Sequence, residues 1–404
     1  MSRSGKIRKM VADAKDSNIS KLELCNLPGG PHTFELAMKF CYGMNFEITT
    51  ANVAHLRCAA EYLEMTEDYR EENLIARTET YLNEFVVHSL ERSVEVLATC
   101  ELLPPIAEEV GIPNRCIEAI AINACKEQLV SGLSHLDCNS ESTELKSSCL
   151  EWWVEDLSVL RIDYYQRVIC AMRSVGVRLD SIVASLMHYA QISLKGIGKS
   201  QIWNPARMKS SPDMEENDQS IIVETLVSLM PTDKSSSIPL NFLFGMLRMA
   251  IMLDAAIACR LELERRIAFR LEMVSLDDLL IPSVRSGDSL FDVDTVHRIL
   301  VNFLQRVEEE ENEDCGYESE GIGSPGHGSL LKVGRLIDSY LAETAPDPYL
   351  SLQKFTAMIE ILPDYARVID DGLYRAIDIY LKVFFPVPVI QSFRISLKLT
   401  QCAS

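Results

Sequence analysis

The sequence predicts a mainly α-helical protein, and three observations carry that reading. Apolar residues recur at helical spacing along most of the chain. Strand-like alternation is confined to two short stretches, and Gly and Pro gather between the periodic segments, where they punctuate helices.

The elements follow in order. Ser4 to Lys15 reads as a short basic helix. Leu22, Leu24 and Leu27 alternate as a strand that stops at Pro28-Gly29-Gly30. In "HTFELAMKFCYG", Phe34, Met38 and Cys41 or Tyr42 share one helical face, and Gly43 ends it as a C-cap. Thr50 caps a helix whose stripe is Val53, Leu56, Ala60 and Leu63, and Tyr69 to Val87 continues helical. Pro104-Pro105 and Gly111-Ile112-Pro113 divide short helices that run to Leu129, and the Ser-rich stretch Ser131 to Ser148 reads as a linker.

Beyond the linker, Trp153, Leu157, Leu160, Tyr164 and Val168 keep a helical period, followed by a polar loop from Lys195 to Gln219. Pro239 suits a first helical turn. Ser275 and Asp278 form a capping box, and a helix spans Val293 to Val307. "EEEENEDCGYESEGIGSPGHGS" then reads as a solvated loop, in which Ser319, Ser324 and Ser329 are candidate phosphorylation sites. Helical spacing resumes at Leu330, Val333, Ile337 and Leu341, continues over Phe355 to Leu362, and returns at Leu373, Ile377 and Leu381. Pro386 and Pro388 end it, and Phe393, Ile395, Leu397 and Leu399 alternate as a second strand-like stretch.

Composition narrows the function classes. With 47% hydrophobic residues in 404, the chain can bury two or three cores at about 100 to 200 residues each. A net charge of -20 opposes nucleic-acid binding, which needs a basic stripe to displace counterions from phosphates. Twelve cysteines without a C-x-x-C pair, and an amino terminus without an apolar run, favour reduced, mostly buried thiols in the cytosol or nucleus. The apolar run Phe242 to Cys259 contains Arg248 and Asp254. Each such charge costs about 2.5 to 3.5 kcal/mol at a bilayer centre, more than the surrounding Leu, Ile and Phe return, so this run reads as one buried helix of a helical domain.

No motif offers chemistry. Gly321, Gly323 and Gly326 satisfy G-x-G-x-x-G, but an acidic run precedes them and Pro325 interrupts them, whereas a pyrophosphate turn needs a strand before and a helix after. Gly198-Lys199-Ser200 lacks the first phosphate-loop glycine, because Ser193 stands there. His135 and Cys138, with Cys149 further on, lack the second close pair of a tetrahedral zinc site. Trp152 and Trp153 could form a binding platform, but Trp153 falls on the apolar stripe. Helical faces without an active site point to binding, with no enzyme activity, cofactor or metal expected.

Several blocks together resemble the plant BTB/POZ family of non-phototropic hypocotyl and root phototropism proteins. "GGPHTFELAMKFCYGMNFEITTANVAHLRCAAEYLEMTEDYREENLIARTETYL" is similar to the rear half of its BTB domain. "EWWVEDLSVLRIDYYQRVICAM", "CRLELERRIAFRLEMVSLDDLLIPS", "LFDVDTVHRIL", "YLAETAPDPYLSLQKFTAMIEILPDYAR" and "DGLYRAIDIYLK" are similar to successive blocks of its helical domain.

The resemblance implies a partial BTB/POZ domain over 1–88, α/β in class but without its front strands. A helical extension follows over 89–130, a linker over 131–149 and a helical domain over 150–382, incomplete at its C-terminus, with loops at 195–219 and 308–329 and an atypical tail over 383–404. It further implies an adaptor for a cullin-three-type ubiquitin ligase, holding signalling or receptor proteins as clients in the cytoplasm, at the plasma-membrane periphery or in the nucleus. The expected cullin-facing residues are Phe34, Glu35, Phe40 and Tyr42 beside the helix Asn52 to Glu64, with core packing the preferred role for Phe40 and Tyr42. Three departures matter: the absent front removes much of the usual dimer interface, Phe34-Glu35-Leu36 sets the acid one position early against the hydrophobic-x-Glu pattern, and 383–404 reads as a foreign end.

Overall fold

The computed structural model describes residues 3–16, 23–103, 105–137, 153–194, 213–231, 238–283, 289–314, 325–367 and 371–384. These residues form α-helices with short 3-10 and π turns, and no strand occurs among them. The chain divides into two compact units, Met1–Lys195 with Leu229–Ser237, and Gly196–Ser228 with Ile238–Ser404.

The first unit contains α1 (Gly5–Asp16), α2 (Gly30–Tyr42), α3 (Val53–Tyr62), α4 (Leu74–Tyr81), α5 (Leu90–Cys100), α6 (Ile106–Val110), α7 (Ile112–Asp137), α8 (Trp153–Asp156), α9 (Ile162–Ser174) and α10 (Leu179–Ser193). Helix α3 packs against α2, α4, α5 and α6. Val53, Leu56, Ala60 and Leu63 are fully buried, as their stripe predicts, and Leu56, Ala60 and Leu63 join Ala37, Phe40, Met65 and Leu74 in one cluster. Asn52 rather than Thr50 precedes this helix, its Oδ1 accepting from the Thr49 N–H at 2.9 Å. Further along, the Tyr165 and Tyr189 rings stack at 4.1 Å and the Tyr165 hydroxyl meets Ser185 Oγ at 2.9 Å, so the aromatic core stays polar-satisfied.

Several expectations shift. The expected strand through Leu24 and Leu27 is a turn, with Asn26 at φ 56. A strand needs a ladder partner for its N–H and C=O groups, and none stands beside it among the described residues. Tyr69 to Val87 is turned until Asn73, whose side chain receives the Leu74 N–H and starts α4 there. Helix α7 is a single helix that runs on to Asp137 into the expected linker; 138–149 lies outside the described residues. Trp153, Leu157, Leu160, Tyr164 and Val168 are all buried, but not on one helix: Leu160 is extended at ψ 144, and the Arg161 N–H is received by Glu101.

The second unit contains α11 (Asp213–Leu229), α12 (Leu240–Met252), α13 (Ile257–Ala268), α14 (Leu276–Leu279), α15 (Val293–Asp314), α16 (Pro325–Thr344), α17 (Leu352–Glu360) and α18 (Asp371–Phe384). The run Phe242 to Cys259 is two helices, broken at Asp254, which adopts φ 46 and is 90% exposed in its side chain. Asp tolerates this left-handed region better than most residues, so the charge that excluded a membrane span also ends the helix. Arg248 within α12 turns its guanidinium to the carbonyls of Asp277 and Asp278 at 3.2 and 3.1 Å. The capping box of Ser275 and Asp278 forms as expected.

Helix α15 continues to Asp314 and α11 begins at Asp213, so both expected polar loops are helical at their edges. Leu330, Val333, Ile337 and Leu341 are buried on α16. The buried face of α18 is Ala376, Tyr380 and Leu381, with Leu373 and Ile377 half-buried beside it. Tyr380 stacks on Phe355 at 4.2 Å and donates to the Leu350 carbonyl at 2.9 Å. Phe393 to Leu399 lie outside the described residues.

Candidate partner-binding surfaces

Helix α2 carries the residues expected to meet a ligase. Gly29 and Gly43 flank it with φ 75 and 70, left-handed values that glycine adopts without a Cβ clash. Its buried face is Thr33, Ala37 and Phe40, so Phe34 and Cys41 sit half-buried at the flank rather than at the centre.

Phe40, 3% exposed, packs edge-on to Phe46 with the Arg3 guanidinium 4.5 Å from its ring; it is a core residue and presents nothing to a partner. Glu35 is exposed and pairs with Lys39 at 2.8 Å, whose hydrogen bond holds the Glu35 carboxyl below its ordinary pKa. Tyr42 is 82% exposed, contrary to its preferred core role. The reason is helical: two residues beyond inward-facing Phe40, Tyr42 lies about 200° round the axis. Met44, 58% exposed just after the Gly43 cap, adds an apolar neighbour that the sequence reading omitted. Helix α3, expected beside this surface, is largely core; Glu61 is its exposed position near the C-terminal end.

The other singled-out residues do not converge. Ser329 is half-buried in α16 and therefore not in a loop, while Ser319 and Ser324 lie outside the described residues. Gly326 is in the first turn of α16, and Gly321, Gly323, Gly198, Lys199, Ser200, Cys138, Cys149 and Trp152 lie outside the described residues. Trp153 is fully buried. Among the described residues no three His, Cys, Asp or Glu side chains cluster as metal ligands, and no helix is long and apolar enough to cross a membrane. The eight described cysteines are free; Cys58, Cys100, Cys116 and Cys259 are buried, and burial raises each of these thiols above its ordinary pKa.

The second unit holds a groove of about 590 Å³ at the N-terminal ends of α13 and α15. Glu264 on its floor is fully buried and receives Arg298, and Lys354 closes one wall by pairing with Asp294 at 2.8 Å.

The model of the NPH3 family matches residues 151–387, more than half the chain. This chain belongs to the NPH3 family. A BTB/POZ domain-containing protein of Arabidopsis thaliana is 63% identical over 392 residues, which is 95% of this chain and 62% of the relative. Root phototropism protein 2 of the same plant is 38% identical over 386 residues, again 95% of this chain and 62% of the relative. This NPH3-family chain thus spans about three-fifths of the curated relatives it matches, and no solved structure matches it. The matched region begins two residues before Trp153 and includes all of α8 to α18, so the groove lies within it and the α2 surface before it.

Proposed function

We propose that this chain is a non-enzymatic adaptor of plant signalling that brings client proteins to a cullin-three-type ubiquitin ligase. The observation that carries the reading is the exposed group on and just after α2, Glu35, Tyr42 and Met44, in a stretch shared with relatives named for their BTB/POZ domain. An exposed aromatic beside a Met is the composition that interface centres favour, and a carboxylate such as Glu35 suits the polar rim. Phe34 contributes an edge, and Phe40 supports from below. The NPH3-type helices hold signalling or receptor clients, in the cytoplasm or at the plasma-membrane periphery.

The test mixes purified full chain with the cullin amino-terminal domain and follows complex formation by sedimentation. The adaptor reading expects association at micromolar concentration; none at about 10 µM rejects direct recruitment.

The register of Glu35 favours a second reading, a membrane-associated scaffold without ligase contact. Its acid stands one position earlier than the hydrophobic-x-Glu pattern, and on a helix that displaces the carboxylate by about 100°. The acidic end of α15, Glu308 to Asp314, would then attract basic receptor segments. Replacing Glu308 and Glu309 by Gln should weaken receptor capture on that reading and leave it unchanged on the first. Ser319 and Ser324 remain candidate phosphorylation positions, whereas Ser329 would first require α16 to open.

A further inference from the structure

We propose that the groove between the starts of α13 and α15 receives a cationic amphipathic helix of a partner protein. The inference rests on the adaptor reading and deepens it, naming where the second unit takes a client and what chemistry the client carries.

Three observations combine. First, Ile257 and Leu261 stand one turn apart on α13, and they are 68% and 44% exposed at the groove wall. Isolated exposed apolar residues are ordinary, but an i, i+4 pair bordering a cleft forms a ridge on which another helix can seat. Second, the cleft is large enough: 590 Å³ falls within the roughly 300 to 1,000 Å³ of binding clefts, so it takes several side chains. The break at Asp254 opens it, since a continuous helix from α12 would carry Ile257 in a different direction.

Third, the charge does not balance. Four carboxylates, Asp254, Glu264, Asp292 and Asp294, line the groove against three cations, Arg260, Arg298 and Lys354. Each cation is held by one of these acids: Arg260 by Asp254 at 3.3 Å, Arg298 by Glu264 at 2.7 Å and Lys354 by Asp294 at 2.8 Å. Asp292 accepts from Thr295, through the N–H at 3.1 Å and the hydroxyl at 2.7 Å. The side chains thus carry one excess negative charge, and the outermost carboxylates are those of Asp254, 90% exposed, and Asp294, 56% exposed. An acidic or phosphorylated segment would set like charge against these two carboxylates. A helix with bulky apolar residues at i and i+4 and flanking Lys or Arg is complementary in both respects.

The experiment titrates full-length chain into a fluorescein-labelled helical peptide of Leu and Lys, with leucines at i and i+4, and into its counterpart with Glu for Lys. Anisotropy should show the Lys peptide binding at least about tenfold more tightly, with affinity falling as salt rises. The double variant Ile257→Ser, Leu261→Ser should lose at least about tenfold. Asp254→Asn, on an exposed turn that does not threaten folding, should weaken binding and flatten its salt dependence. Tyr374→Ser, exposed elsewhere on the same unit, should change nothing.

Equal binding of the two peptides, no binding of the Lys peptide at about 100 µM, or binding untouched by both groove variants overturns the proposal. So does capture of anionic lipid vesicles that the double variant abolishes. Cullin association is read separately: if it persists while the peptide result fails, only the groove is rejected, and if it is absent from the wild type, the adaptor reading fails on its own.

Discussion

Glu264, whose side chain is 1% exposed, receives Nε and a terminal nitrogen of Arg298 at 2.9 and 2.7 Å, while the Arg298 side chain is 45% exposed. The pair links α13 to α15 and is asymmetric, because its acid is sealed and its base reaches water. Removing the base strands a buried carboxylate; removing the acid leaves a cation that solvent can serve. Arg298→Met should therefore destabilise the second unit by about 3 kcal/mol or more, and Glu264→Gln by clearly less. Urea unfolding of both variants checks the order, and the reverse order would contradict the asymmetry.

Glu79 on α4 holds two arginines, Arg57 Nε at 2.6 Å and Arg115 at 2.5 Å. Burial works against its charge, but the hydrogen bonds from Arg115 and then Arg57 outweigh it, so its pKa lies below the ordinary 4.5. A depressed carboxylate adds stability that is complete above the unfolded value and fades as pH falls through it toward the folded value. Glu79→Gln should cost about 2 kcal/mol near neutral pH. The gap to wild type should then narrow from about pH 5 downward. Thermal unfolding across pH reads this directly, and a constant gap would show that Glu79 acts by shape rather than charge.

The cysteines separate by burial. Cys58 and Cys116 are pushed up to about 12 and Cys259 to about 11 by burial, whereas Cys25 and Cys170 are exposed. The thiolate is the nucleophile, so raised pKa and lack of access act together. Maleimide labelling followed by peptide mass spectrometry at neutral pH should modify Cys25 and Cys170 and spare Cys58, Cys100, Cys116 and Cys259 until urea is added.

Gly334 on α16 faces the backbone after α17. A Cβ there would lie 2.3 Å from the Ala366 carbonyl oxygen, which is backbone and cannot swing aside. Gly334→Ala should destabilise by about 1 to 3 kcal/mol through overpacking, well beyond the effect of the same change at solvent-facing Gly328. Calorimetry of the two variants side by side makes the comparison.

Periodicity located the apolar residues well and the breaks poorly. The stripe Trp153, Leu157, Leu160, Tyr164 and Val168 is buried throughout, yet it bends at Leu160, because an extended residue there lets Glu101 cap the next helix. That contact spans 60 positions and leaves no local trace. Asp254 marked a break that its apolar neighbours masked, and Leu24 and Leu27 show the converse, alternation without a ladder. On α2 the face was misassigned by one residue: centring it on Phe34 instead of Thr33, Ala37 and Phe40 hid the exposure of Tyr42. The groove was invisible for a simpler reason, since its walls come from segments as distant as Asp254 and Lys354.

Calorimetric titration of the cullin amino-terminal domain into the full chain reads whether the α2 surface recognises it. Micromolar affinity that Tyr42→Ala reduces about tenfold, with the fold intact by circular dichroism, is the predicted result. No heat of binding from wild type, or equal affinity for the Tyr42→Ala protein, would contradict it.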